Sequence, residues 1–184
     1  MDSSPIITAV QRWVETLVVG LNLCPFAKRE LVKQRVRYVV SMASDEEALL
    51  GDLRRELDRL DHDESVETTL LIHPAVLQDF FNYTQFLPRA DRLVGQLKRR
   101  GVYQIASFHP DYEFAGTAPD DAENFTNRSP YPMLHVLREA SLATAIDNYP
   151  DTELIPERNI AQMEALGADR LRAMLRACMA PDEG

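Results

Sequence analysis

Between Val36 and His109 the chain alternates strand-type and helix-type segments, and that order constrains the fold more than any other feature of its 184 residues. Val36 to Met42 is β-branched and alternating. Ser44 to Leu60 opens with a capping residue and an acidic first turn, then sets Leu49, Leu50, Leu53, Leu57 and Leu60 on one face. Thr68 to His73 reads as a short apolar strand. A helix or helix pair over Phe80 to Arg100 stops at Gly101, and Val102 to His109 is the next strand. Parallel neighbours need long connections and helices supply them, so β-α-β-α-β predicts an α/β fold with a small, mainly parallel sheet of about three strands. Ser4, Pro5 and the periodic Ile6, Val10, Trp13, Val14, Leu17 and Leu21 put an amphipathic helix in front. A second, short helix is predicted over Phe26 to Val32. Met133 to Asn148, Glu157 to Leu166 and Ala168 to Met179 read as a C-terminal helical layer. The alternative is a ferredoxin-like α+β fold, with a fourth strand hidden in Tyr112 to Phe125.

This length suits one domain spanning 1–184, burying roughly 70% of the unfolded surface. The ends 1–4 and 180–184 are expected to be flexible. The segment 114–132 is too long for an ordinary connection. With 20 Lys+Arg against 29 Asp+Glu the net charge is −9, which repels nucleic-acid backbones and anionic membranes. Cys24 and Cys178 lie far apart in a chain large enough to need no covalent staple, so free thiols and a reducing, cytoplasmic setting are expected. Ile6 to Leu23 carries Arg12, Glu15 and Asn22 and follows Asp2, which fits neither a signal peptide nor a membrane span.

Two strands end alike, in Leu71-Ile72-His73-Pro74 and Ser107-Phe108-His109-Pro110, with proline stopping the ladder after each histidine. If the strands are parallel, both imidazoles emerge at the carboxyl edge of the sheet, where open α/β folds bind ligands. Each histidine alone reads equally as a strand-end residue bonded to backbone. Asp111, Tyr112 and Glu113 crowd the exit of His109 and are placed to orient it. Asn127-Arg128-Ser129-Pro130-Tyr131-Pro132 reads as a helix start, with Ser129 as cap and free N–H groups beside Arg128, a place to hold an anion. His135, about a turn on, is a candidate for the same pocket. Cys24 at a helix N-cap, with Lys28 and Arg29 following, would have its thiolate stabilised, although buried cysteines are more often inert. His62, within Asp61-His62-Asp63-Glu64, reads as a solvated loop. Neither a phosphate-binding glycine loop, a Gly-x-Ser-x-Gly elbow nor a zinc-protease motif is present.

Gly20-Leu21-Asn22-Leu23-Cys24-Pro25-Phe26, Phe108-His109-Pro110 and Asn127-Arg128-Ser129-Pro130-Tyr131-Pro132, with His135 and Arg138-Glu139, resemble an uncharacterised bacterial family, domain of unknown function 1415. The resemblance covers almost the whole chain. It implies a self-contained bacterial domain and carries over no catalytic assignment.

Three functional readings follow. The first is a small-molecule enzyme acting on an anionic substrate. It takes His109 as general acid/base and Cys24 and His73 as further catalytic candidates, with Arg128, Ser129, Asn127, Tyr131, His135 and Tyr112 binding the substrate. The second is a metal- or haem-binding protein drawing on Cys24, His73, His109, Asp111 and His135. The third is a non-catalytic domain that binds a protein partner through the 114–132 loop.

Overall fold

The structure is a computed structural model that describes residues 3–181; residues 1–2 and 182–184, part of the ends expected to be flexible, lie outside the described residues. Helix α1 (Ser4–Trp13) runs on into a π-helical turn over Val14–Val19. There the N–H groups of Gly20 and Leu23 reach back five residues to the carbonyls of Glu15 and Val18, both at 2.9 Å. A Cβ at Gly20 would collide with the Thr16 carbonyl oxygen, so glycine is what lets the wider turn close. The residues chosen from periodicity do face inward, with Ile6, Val10, Trp13, Val14 and Leu17 all buried.

The short helix α2 (Ala27–Val32) leads to β1 (Val36–Val40). Then follow α3 (Glu46–His62), β2 (Thr68–Ile72), α4 (Phe80–Gln96) and β3 (Tyr103–Phe108). Asp45 and Asp79 cap α3 and α4, each accepting from the backbone N–H three residues ahead. An aspartate there satisfies an orphan N–H and complements the helix dipole. Ser44 was the expected cap of α3, but Asp45 takes that place.

The largest departure comes after the long loop. Met133–Arg138, expected to begin a helix, is strand β4, and α5 occupies only Glu139–Asp147. The sheet therefore has four strands in the order β1-β2-β4-β3, with β1 parallel to β2 and β4 antiparallel to both β2 and β3. It is mixed, neither mainly parallel nor three-stranded. The ferredoxin-like alternative fails too, because the order is β-α-β-α-β-β and the extra strand lies outside Tyr112 to Phe125. Met-Leu-His-Val-Leu-Arg suits either conformation locally, and backbone pairing on both sides decides for strand.

Helices α3 and α4 cover one face of the sheet, over Leu71, Leu134, Val136 and Tyr103. On the other face α1 packs against Leu70, Ile72 and Met133 together with α7 (Ala168–Cys178). Helix α6 (Ile155–Leu166) contributes Met163 to a third cluster with Leu23, Phe125 and Leu171. That cluster anchors the 114–132 loop through a 3-10 turn over Ala122–Thr126. Asn124 is fully buried there; its amide oxygen accepts from Phe114 N–H and Thr117 Oγ1, and its nitrogen donates to the Ala118 carbonyl. The loop is thus a packed part of the domain. At the ends expected to be flexible, Ser4 opens α1, and the Ala180 carbonyl accepts from the Arg12 guanidinium at 2.6 Å.

Candidate functional site

Strand β4 enters between β2 and β3, but β2 and β3 still run in one direction, so His73 and His109 leave the sheet at the same edge. The intervening strand separates the two strand ends by about 10 Å, enough for one aromatic ring. Tyr83 of α4 fills it, with ring centroids 5.8 Å from His73 and 5.1 Å from His109. The Tyr83 hydroxyl accepts from Phe108 N–H at 3.1 Å and donates to the Met133 carbonyl at 2.8 Å. Phe108 and Met133 are register partners, so the hydroxyl is wedged into the last rung of the β3–β4 ladder. Burial drives the Tyr83 phenol well above its ordinary range, which keeps it neutral in this role.

Each histidine then binds the loop that joins β2 to α4. His73 Nδ1 lies 2.9 Å from the Val76 carbonyl, and His109 Nε2 lies 3.2 Å from the Leu77 carbonyl. A carbonyl only accepts, so both nitrogens carry protons. His109 Nδ1 accepts from Asp111 N–H at 3.0 Å. Both of its nitrogens are therefore committed, and the ring is held as the neutral Nε2–H tautomer. His73 differs, because its Nε2 is buried with no hydrogen-bonding partner among the described residues. Burial pushes His73 down to about 4 and also lowers His109, against the pull of its bond to Leu77. The second of these two residues is strained, since Leu77 has φ 58°, a left-handed conformation that is costly for a leucine and persists where neighbours over-determine it.

That loop walls a groove of about 540 Å³ at the carboxyl ends of β1 and β2. Asp45, Glu46 and Glu47 line one side, and Val76, Leu77 and Asp79 the other. Arg89 pairs with Glu46 and Glu47. Asp45 and Asp79 have no cationic partner among the described residues; each spends one oxygen on its helix cap.

The remaining candidates are placed elsewhere. Since Met133 opens a strand, no helix follows Ser129, and the expected anion-binding N-terminus does not form. Ser129 is fully buried; its hydroxyl donates to the Tyr131 carbonyl, and its N–H faces the His109 carbonyl at 3.4 Å. Asn127 Nδ2 donates to the Ser107 carbonyl. Arg128 lies 4.6 Å over the Phe125 ring and donates to the carbonyls of Tyr112 and Pro119, while the Arg128 carbonyl accepts from Trp13 Nε1. These residues brace the end of β3. Tyr112 joins Phe80 and Phe114 in an aromatic row beside His109, and Tyr131 packs with the α1 cluster.

His135 faces the α1 side of the sheet, away from His73 and His109. Thr68 Oγ1 gives its proton to the Val136 carbonyl and so accepts from His135 Nε2 at 2.7 Å; burial pushes His135 down to about 4. Cys24 also departs from expectation. It precedes Phe26, the cap of α2, by two residues, and burial raises its thiol against the pull of the Phe26 and Ala27 N–H groups. An activated thiolate is the opposite of this arrangement. His62 is exposed, with Nδ1 on the Asp58 carbonyl. Among the described residues no three His, Cys, Asp or Glu side chains come together to hold a metal ion. Sequence reasoning missed Tyr83, the Leu77 loop and Asp79. Only Asp79, an acidic residue just ahead of an apolar-rich run, carried a readable helix-start signal.

Fold and site together define a mixed α/β domain with a clamped groove at one sheet edge. A family model described as "Protein of unknown function (DUF1415)" matches residues 5–173, and the chain belongs to that family. No curated protein and no solved structure matches it. No helix among the described residues is long and apolar enough to cross a membrane.

Proposed function

We propose that the chain binds a small molecule in the groove at the carboxyl edge of β1 and β2, whose wall is held in place by the buried His73 and His109. The observation that carries this reading is the convergence of both strand-end imidazoles on consecutive carbonyls of the groove wall. Such a clamp holds a strained loop in one conformation, as a preorganised site requires. His109 supports the wall and has no free lone pair with which to act as a base. His73 Nε2 has no hydrogen-bonding partner among the described residues and is enclosed behind that wall, since the residue is fully buried. The anionic-substrate reading loses its carriers, because Arg128 is engaged by backbone carbonyls and no helix starts at Ser129. The unpaired carboxylates of Asp45 and Asp79 favour a ligand with an ammonium or hydroxyl-rich group.

Amide NMR with a panel of small amines, polyols and carboxylates tests this. Amines or polyols are expected to shift residues 45–47 and 76–82. The double variant Asp45→Asn, Asp79→Asn keeps both caps and should weaken that binding about tenfold or more. Shifts around Arg128 with carboxylates alone would restore the anionic reading. Silence across the panel would leave the protein-interaction reading ahead.

A further inference from the structure

The two outer strands of the sheet are finished differently. The Thr68 N–H to Arg35 carbonyl and Ser41 N–H to Ile72 carbonyl bonds fix the parallel register so that odd-numbered residues of β1 face β2. The N–H and C=O groups of Val36, Tyr38 and Val40 consequently point away from the sheet. Among the described residues no strand lies beyond β1 and no backbone bond uses those groups. On β3 the outward positions are blunted: Tyr103 N–H donates to the Arg99 carbonyl, and the Ser107 carbonyl accepts from Asn127 Nδ2.

An open edge is a template for another strand, and natural edges are protected by proline, lysine, bulges or inward charges. β1 carries no proline, lysine or bulge, and its one charged residue is neutralised. Arg37 is paired with Glu56, and Arg35 with Glu30 and Glu67, so each cation is neutralised within its own chain. Large apolar residues are exposed just outside both ends of the strand, Val32 at 75% and Met42 at 62%.

We infer that β1 is a self-association edge at which a second copy of this chain adds its own β1, antiparallel about a two-fold axis at Tyr38. Antiparallel pairing centred there sets Val36 opposite Val40 of the second copy and Tyr38 opposite Tyr38. All three outward-facing positions become hydrogen-bonded pairs, giving about six new bonds, and like apolar side chains meet on one face. The same axis carries Met42 of each copy to the 32–34 turn of the other, which covers the exposed Met42 and Val32. A foreign strand would meet neither requirement by construction, whereas an isologous pair meets both. The product is a continuous eight-stranded sheet with the blunted β3 edges outermost.

Sedimentation velocity on the full chain, from low micromolar to near-millimolar concentration, is the first test, and a concentration-dependent monomer–dimer equilibrium is expected. Hydrogen exchange at the Val36, Tyr38 and Val40 amides should slow as the dimer fills. Met42→Lys changes an exposed side chain and should leave the fold intact while weakening association about tenfold. Tyr38→Pro removes an outward N–H unused in the monomer and should abolish association; Val40→Pro is the second variant if loss of the tyrosine ring unfolds the first. A monomer at every concentration overturns the inference. So does a dimer that leaves those three amides fast, or one that Met42→Lys does not weaken.

Discussion

Replacing His73 by asparagine should flatten the dependence of stability on pH between 7 and 4. In the folded chain the His73 imidazole is fully buried, and burial pushes it from the ordinary 6.5 to about 4. In the unfolded chain it titrates near 6.5. The unfolded chain therefore binds the proton first as pH falls. The stabilising contribution is complete above pH 6.5 and is lost progressively as pH drops toward 4. At about 1.4 kcal/mol for each tenfold in proton affinity, a fall from 6.5 to about 4 is worth about 3 kcal/mol. Asparagine keeps an N–H near the Val76 carbonyl but offers no basic nitrogen at the Nε2 position. Losing the ring stacked on Tyr83 should cost the variant about 1–2 kcal/mol at pH 7. Urea denaturation of both proteins at half-unit intervals of pH measures the difference. On acidification the wild-type curve should fall by about 3 kcal/mol more than the variant's, so that the two cross; parallel curves would refute the assignment of a buried, neutral His73. A carbon-13 NMR titration of the native imidazole gives an independent check, and a midpoint near 6.5 would refute it equally.

Tyr83→Phe strips the hydroxyl from between Phe108 N–H and the Met133 carbonyl, and should destabilise the chain by roughly 2 kcal/mol or more in urea unfolding. Gly20→Ala drives a methyl into the Thr16 carbonyl; a loss of about 1–3 kcal/mol is expected, and an unchanged melting temperature would contradict the closed π-helical turn. Because burial raises the Cys24 thiol, iodoacetamide should alkylate it more slowly at pH 7 than it does free cysteine. Asn124→Ala removes three hydrogen bonds from a buried amide, and limited proteolysis should then cut within 114–126, a segment that resists the protease in the native protein.

The segment from Val36 to Phe108 was legible because its elements are specified locally. Each helix carries its own cap and apolar stripe, and each strand is a β-rich run bounded by turn residues. The Ile-His-Pro and Phe-His-Pro endings placed both imidazoles at one edge correctly, since strand direction follows from the helical crossovers. By itself, then, the sequence determined the alternating frame, the edge where the histidines gather and the resemblance to the family that the comparison bears out. Tertiary structure decided what those residues do there. Met133–Arg138 is a strand only because β2 and β3 offer partners on both sides, a contribution from residues some 25 to 70 positions away that no local window contains. That insertion turned His135 to the opposite face, dissolved the helix start expected at Ser129 and opened the space that Tyr83 fills. The proton on each imidazole follows from which backbone group faces it across the finished fold: a carbonyl for His73 Nδ1 and an N–H for His109 Nδ1. Acid–base character is a property of that enclosure, because burial and hydrogen bonding set the cost of charge, and neither exists until the chain has folded.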